Sequence, residues 1–206
     1  MNTLALNIAI FPDENTRSQA IALSQSINET TESYFTLDES NYLPHISVYH
    51  AIYEESVKNK LTKVVADIAK KTSAFDIRLS EYDYFADYLF LNASVSNELY
   101  ELHMNLLNAC NPLRSQIITD SILELIKNNQ INEQQIALVT KYGHPLTEKF
   151  FRPHITLARL KDSSAVSETI EKLPKQEIAM KVNGLAIVNI GPHGTCNQIF
   201  ETFQFN

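Results

Sequence analysis

Apolar residues recur along this chain at two kinds of spacing, and the switches between them predict the order of its elements. Short or alternating apolar runs that end at turn residues predict strands, whereas apolar residues three and four positions apart predict helices. Strands are predicted over 4–11, 42–49, 74–84, 88–94, 150–160, 177–190 and 199–205. Helices are predicted over 15–28, 54–71, 96–110, 119–128 and 163–173. The mixture predicts an α+β protein.

The second half of the chain repeats part of the first as a strand, a helix, a strand, a turn and a strand. This repeat predicts two lobes related by a rough duplication. Because no low-complexity linker separates them, we expect one bilobal domain over 1–206. Residues 112–148 interrupt the repeat with one helix and a polar surface connection over 128–135. We expect this insertion to lie beside the functional cleft and to influence substrate choice.

Composition narrows the classes of partner. The formal net charge of −7 argues against binding of extended nucleic acid, which requires many Lys and Arg contacts to phosphates. It leaves room for a nucleotide or an RNA end held in a local basic pocket. The N-terminus lacks a basic leader and no apolar run is long enough to cross a membrane, so we expect a cytoplasmic monomer without membrane contact. The two cysteines, Cys110 and Cys196, predict buried apolar positions and no disulfide scaffold.

A short phrase occurs twice. Residues 44–48 read Pro-His-Ile-Ser-Val, and residues 153–157 read Pro-His-Ile-Thr-Leu. Side chains alternate between the two faces of a strand, so the imidazole and the hydroxyl of each copy share one face, and the aliphatic residues take the other. Two such strands side by side would supply a set suited to acid/base chemistry on a phosphate ester. These four residues are His45, Ser47, His154 and Thr156.

Other side chains are weaker candidates for substrate binding. Arg152 precedes His154 by two positions and could hold phosphate, or could be a solvated arginine. Tyr49 is expected on the face of His45, where it could stack on a base or pack in the core. Lys141, Tyr142 and the rest of the stretch 142–145, which reads Tyr-Gly-His-Pro, precede the second motif and could line the mouth of a cleft as a specificity loop, or form a plain turn built by Gly and Pro.

Simple alternation and helical spacing also assign structural positions to four residues outside this set. His50 and Arg159 are expected to face away from the motif histidines. His103 falls on the apolar stripe of a helix and is expected to be packed, and His193 is expected to be solvated in a turn.

The paired motifs, half a chain apart and each in a strand followed by a helix, resemble the 2H phosphoesterase superfamily, which includes 2′-5′ RNA ligase-like proteins and cyclic phosphodiesterases. The resemblance implies two pseudo-symmetric lobes, each an antiparallel sheet with outer helices, that face a central cleft. It implies that His45 with Ser47, and His154 with Thr156, are the functional pairs. Many members have Thr where this chain has Ser47, and the 112–148 insertion is longer than a minimal member needs.

The resemblance implies a metal-independent phosphoesterase that opens a cyclic phosphate, or that cleaves or joins a 2′-5′ linkage, in a nucleotide or RNA end. One histidine would act as base and the other as acid, without a cofactor. Neither motif supplies a second metal ligand near its histidine, which argues against a zinc enzyme. Two alternatives stay open: a non-catalytic nucleotide-binding module, and a hydrolase of another phosphoester such as a cyclic oligonucleotide signal.

Overall fold

A single antiparallel sheet forms the frame of the computed structural model, which describes residues 2–206. Within these residues the sheet has eight strands, in the order β6-β3-β4-β5-β2-β1-β7-β8. The strands are β1 Thr3–Ile10, β2 Ile46–Glu54, β3 Phe75–Phe85, β4 Tyr88–Ala93, β5 His154–Arg159, β6 Ile178–Val182, β7 Gly184–Ile190 and β8 Cys196–Gln204. The helices are α1 Glu14–Thr30, α2 Lys58–Ala69, α3 Asn97–Cys110, α4 Asp120–Lys127, α5 Glu133–Tyr142 and α6 Val166–Lys172.

The sheet consists of two four-stranded halves, and the motif strands β2 and β5 lie at the junction between them. One residue pair, Ile46 with Ile155, joins the halves. The α+β class and the paired antiparallel lobes are therefore confirmed. The lobes are not successive segments of the chain, however. The β3-β4 hairpin pairs with the second motif strand, and the β7-β8 hairpin pairs with β1 of the first lobe.

Helices cover the sheet face opposite the motif histidines. Helix α1 packs on β5 and β6 and α6 on β3 and β4, whereas α2 and α3 cover strands of the other half. Helix α3 shows how the sequence specifies this packing. Ser96 caps it by accepting the Leu99 backbone N–H, and its apolar stripe points into the core. The buried leucines of that stripe are Leu99, Leu102, Leu106 and Leu107.

Two predicted elements are wrong in detail. The predicted strand 177–190 is two strands, because β6 pairs with β3 in one half and β7 with β1 in the other. At the start of β7, a Cβ on Gly184 would lie 2.5 Å from the Phe203 carbonyl oxygen, so only glycine permits this close approach. The polar stretch 128–135 is not wholly a surface connection, since α5 begins at Glu133.

The insertion packs partly on itself and partly on the main core, to which its Leu138 and Tyr142 belong. A small apolar cluster of Ile122, Ile131 and Val139 joins α4 to α5, separate from the main core. At both ends the insertion contacts β2: Arg114 forms a bridge with Tyr53, and the Tyr142 carbonyl accepts the Tyr49 hydroxyl. Gly143 ends α5 in the left-handed conformation, with φ of 80°. Within residues 2–206, no helix has both the length and the apolar character needed to cross a bilayer.

Candidate functional site

The two motifs lie side by side at the junction of the lobes. Continuing the antiparallel register from the Ile46–Ile155 pair places Ser47 opposite His154, and His45 opposite Thr156. The two isoleucines are fully buried against the helices. The other sheet face therefore carries both imidazoles and both hydroxyls, and we refer to it as the motif face. The structure thus brings the four predicted catalytic residues together.

The two motif histidines are held by the same backbone device. His45 Nδ1 lies 2.9 Å from the Leu43 carbonyl oxygen, and His154 Nδ1 lies 2.8 Å from that of Arg152. A carbonyl oxygen can only accept, so each Nδ1 carries the hydrogen, and each neutral ring keeps its lone pair on Nε2. In each motif the accepting residue precedes a proline, which favours its extended conformation. Both imidazoles therefore have Nε2 free to take a proton or, once charged, to donate one.

A residue that the sequence analysis did not single out positions Ser47. Asn7 of β1 is buried, and its Nδ2 donates to Ser47 Oγ over 2.7 Å. Because Oγ accepts this bond, its own hydrogen remains available to a ligand on the motif face. Within residues 2–206, the buried Asn7 Oδ1 has no hydrogen-bond partner. The one sequence signal for Asn7 is that it interrupts the otherwise apolar run of the first strand.

A β-bulge in each motif strand changes which later residues share the motif face. Against β1, Ser47 pairs with Ala9 and Tyr49 with Ile8, so Val48 is the extra residue of β2. Against β4, Leu157 is the extra residue of β5 in the same way. The two bulges fall at the same motif position, three residues after each histidine. Each one shifts the alternation by one residue.

The bulge at Val48 corrects two expectations. His50 is paired with Asn7, whose amide holds Ser47, so His50 lies on the motif face and not on the opposite one. Tyr49 does not share that face. Its ring is buried, and its hydroxyl donates to the Tyr142 carbonyl oxygen over 2.9 Å.

The bulge at Leu157 corrects the expectation for Arg159, which lies on the motif face across from Tyr88. Its guanidinium lies 4.9 Å from the Tyr88 ring centroid and 5.0 Å from that of Tyr34. Nε donates to Asp87 over 2.8 Å, and Nη1 lies 2.9 Å from His193 Nδ1. His193 also stacks on Tyr34, with ring centroids 5.0 Å apart, so it belongs to this cluster and is not a free turn residue.

Arg152 lies next to the second motif histidine. It forms an ion pair with Asp83, and its guanidinium carbon lies 5.6 Å from the centroid of the Phe90 ring. The Phe90 ring in turn lies 4.0 Å from that of His154. A third of the Arg152 side chain is exposed. It is therefore placed where an anion beside His154 could reach it.

The other two predicted binding residues make contacts within the insertion. Lys141 Nζ lies 2.9 Å from Glu148, and the Tyr142 hydroxyl donates to the same carboxylate over 2.6 Å. The Tyr142 ring is buried. From this loop it is His144 that contacts the motif face, with its ring edge-on to His50 and 4.0 Å between centroids.

Burial favours the uncharged form of the imidazoles on the motif face. It lowers the pKa of His45 against the opposing effect of the Leu43 carbonyl. Burial and, after it, the positive charge of Arg152 lower the pKa of His154 to about 4. Burial and the neighbouring His45 lower the pKa of His50 to about 4 as well. All three rings are therefore neutral at pH 7 until an anion binds near them.

His103 is packed, as predicted, and stabilises the first bulge. Its Nδ1–H donates to the carbonyl oxygen of Val48 over 2.7 Å, and its Nε2 accepts the Glu148 backbone N–H. The ring stacks on Phe151 with 3.9 Å between centroids. Across residues 2–206, no group of three or more His, Cys, Asp or Glu side chains is arranged to hold a metal ion.

Solved structures with the same fold cover almost the whole chain. The protein TT0787 of Thermus thermophilus is 17% identical, with a TM-score of 0.62 over 98% of each chain. Escherichia coli LigT in its apo form is 12% identical, with a TM-score of 0.58 over 100% of this chain and 99% of its own. A structure described as a phosphoesterase is 12% identical, with a TM-score of 0.59 over the same shares.

Sequence comparison gives the family. No curated protein matches this chain by sequence. The family model for the 2′-5′ RNA ligase superfamily matches residues 19–193, which include both motifs. The chain belongs to the 2′-5′ RNA ligase superfamily.

Proposed function

We propose that this chain is a metal-independent phosphoesterase that opens a cyclic phosphate, or cleaves or joins a 2′-5′ linkage, at a nucleotide or RNA end. The observation that carries the proposal is the matched pair of histidines on adjoining strands. Each has Nδ1 bound to its own backbone and Nε2 free. A binding module would not require two imidazoles prepared for proton transfer in the same way.

In hydrolysis of a 2′,3′-cyclic phosphate, one histidine takes a proton from water through Nε2 as the water oxygen bonds to phosphorus. The other histidine, in its charged form, protonates the ribose oxygen whose bond to phosphorus breaks. The negative charge of the bound phosphate raises the pKa of the acid histidine and makes this form available. The reverse reaction joins a ribose hydroxyl to a cyclic phosphate.

The two hydroxyls stabilise charge on the phosphorus oxygens. Ser47 is oriented by Asn7 and keeps its hydrogen for donation to a non-bridging oxygen. Thr156 lies across the junction, on the strand of His154. Arg152 adds a positive charge beside His154 and remains our candidate for a further phosphate contact. For Lys141, Tyr142 and Tyr49, the occupied side chains favour structural roles near the site over direct contact with substrate.

A row of aromatic rings on the motif face favours a substrate that carries a base. Phe90 contacts His154 and stacks with Tyr88. The Arg159 guanidinium packs on the rings of both Tyr88 and Tyr34. Rings and a guanidinium plane of this kind are typical surfaces for stacking nucleobases. Structures of LigT contain phosphate, 3′-AMP, ATP or NADP+. These ligands support a nucleotide as the substrate class here.

A substrate panel tests the proposal. Purified protein is incubated with 2′,3′-cyclic nucleotides, 2′-5′-linked dinucleotides and cyclic dinucleotides, each with and without EDTA, and products are separated by chromatography. We expect turnover in at least one of the first two groups and no effect of EDTA. Turnover of cyclic dinucleotides alone would favour the other phosphoester class. Nucleotide binding without any turnover would favour the binding module.

A further inference from the structure

A fourth imidazole reaches the motif face, from a loop of the insertion. His144 follows Gly143, whose left-handed conformation ends α5 and turns the chain toward β2. The His144 ring lies perpendicular to that of His50, with 4.0 Å between centroids. His50 is paired with Asn7, and Asn7 holds Ser47. His144 therefore lies beside His50, whose cross-strand neighbour Asn7 holds the hydroxyl of the first motif.

The loop of His144 is anchored on both sides to β2. Before it, the carbonyl oxygen of Tyr142 accepts the Tyr49 hydroxyl. After it, the Glu148 backbone N–H donates to His103, which holds the Val48 carbonyl at the bulge. The bulge that places His50 on the motif face therefore also fixes the loop that carries His144. Such anchoring gives a side chain a defined position rather than that of a mobile loop tip.

The hydrogen on His144 is on the opposite nitrogen from that of the motif histidines. The Leu146 backbone N–H donates to His144 Nδ1 over 3.2 Å. Since a backbone N–H can only donate, Nδ1 carries the lone pair, and the neutral ring carries its hydrogen on Nε2. His144 is thus a hydrogen-bond donor through Nε2 without being charged. Burial and, after it, the neighbouring His50, His154 and His103 hold its pKa well below the ordinary value.

We propose that His144 is a phosphate-binding residue whose neutral Nε2–H donates to a non-bridging oxygen of the substrate. This assignment rests on the proposed function and deepens it, because it adds a donor from the insertion to the two hydroxyl donors of the motifs. A neutral donor stabilises an oxyanion without adding a positive charge next to the base histidine, which must stay unprotonated. The insertion then takes part in the chemistry through one residue at its C-terminal end.

Two amide substitutions test the Nδ1 acceptor and the Nε2 donor of the His144 ring separately. His144→Asn keeps an acceptor near the position of Nδ1, where it can bind the Leu146 N–H, but it removes the donor at Nε2. His144→Gln places an amide donor near Nε2 and gives up the Leu146 bond. His144→Phe keeps a ring against His50 without any donor. The probe is inorganic phosphate, whose dissociation constant is measured by calorimetry, alongside kcat and KM on the best cyclic nucleotide and the melting temperature of each variant.

We expect His144→Asn and His144→Phe to weaken phosphate binding ~10–100-fold, the usual effect of losing a hydrogen bond to a charged group, and to lower kcat. His144→Gln should bind phosphate more tightly than both, whatever its melting temperature. Equal phosphate affinity in wild type and the Phe variant, or no phosphate binding by the wild type, would overturn the assignment. A wild type that binds phosphate but turns over no substrate would instead contradict the proposed function, and the phosphate comparison would still report on His144.

Discussion

Each motif histidine is oriented by the carbonyl two residues before it, so the orientation is written into the local sequence. Ser47 is different, because a buried amide from another strand orients it. The orientation of the histidines therefore depends on their own strand segment, whereas that of Ser47 depends on Asn7 of a different strand. This contrast predicts that Asn7 acts only through Ser47.

We expect Ser47→Ala and Asn7→Ala each to lower kcat about tenfold, since each removes or misdirects one hydrogen bond to the phosphate. The double variant should lose little more than Ser47→Ala alone, because Asn7 has nothing left to orient. Steady-state kinetics on one cyclic nucleotide check this. Losses that multiply in the double variant would show that Asn7 acts independently. Thr156→Ala serves as the matched variant on the other strand.

The lowered histidine pKa values predict the pH dependence of the free enzyme. The base histidine must be neutral and the acid histidine must be charged. Burial lowers the pKa of both His45 and His154, that of His154 to about 4. The profile of kcat/KM should therefore peak on the acid side of 6.5. The bound phosphate raises both values, so kcat should peak at a higher pH. Identical profiles for kcat and kcat/KM would contradict this account.

Sequence alternation identified His45, Ser47, His154 and Thr156 because each pair lies before its bulge, where the period of two still holds. It misplaced Tyr49, His50 and Arg159 because they lie after the bulges. A bulge is defined by pairing with a partner strand, so the sequence of a motif strand by itself does not predict it. The sequence analysis did not identify Asn7 for a related reason, because its role depends on a contact with a residue 40 positions away.

At the scale of elements, the bulge of β2 is stabilised by a helix and a loop. His103 of α3 satisfies the Val48 carbonyl and the Glu148 N–H with its two ring nitrogens. Helix α5, which positions the loop, begins with a capping box of Asn132 and Gln135. That pair and Gly143 were the available sequence signals for α5. The polar character of 128–135 instead indicated a surface connection, so this helix was not predicted.

Replacing His103 by alanine leaves the buried Val48 carbonyl and the partly buried Glu148 N–H without partners. We expect the free energy of unfolding to fall by about 2–5 kcal/mol, from about 1–3 kcal/mol for each such group together with lost ring packing. His103→Gln should lose less, because its amide has one donor and one acceptor. Urea unfolding of the two variants checks the order. An alanine variant as stable as the wild type would show that neither bond contributes.

At the scale of the whole molecule, the two lobes exchange hairpins. The β3-β4 hairpin from the first half of the sequence pairs with β5, and the β7-β8 hairpin from the second half pairs with β1. The local patterns predicted most hairpins and helices, but not which hairpin joins which lobe. That choice depends on long-range pairing, which no local spacing records. The exchange also concentrates five of the chain's six histidines around the junction of the lobes. They are His45, His50, His103, His144 and His154, and each has a lowered pKa.

This concentration predicts how stability depends on pH. In the unfolded chain these histidines bind protons below about 6.5. In the folded chain burial lowers the pKa of all five, that of His50 and His154 to about 4. Their contribution to stability is therefore complete above pH 6.5 and is lost as the pH falls toward 4. We expect the free energy of unfolding in urea to decrease between pH 7.5 and 5.0 in phosphate-free buffer. A constant value over that range would contradict the neutral, buried state of the cluster.

The most direct test of the central claim is the turnover of 2′,3′-cyclic nucleotides by wild type, His45→Ala, His154→Ala and the double variant, with EDTA present throughout. We predict that each single variant loses ~10²–10⁴-fold in kcat, as expected for positioned acid and base groups. The double variant should lose far less than the product of the two, because the histidines act as a unit. Full activity in either single variant, or activity abolished by EDTA and restored by a divalent ion, would contradict the two-histidine mechanism.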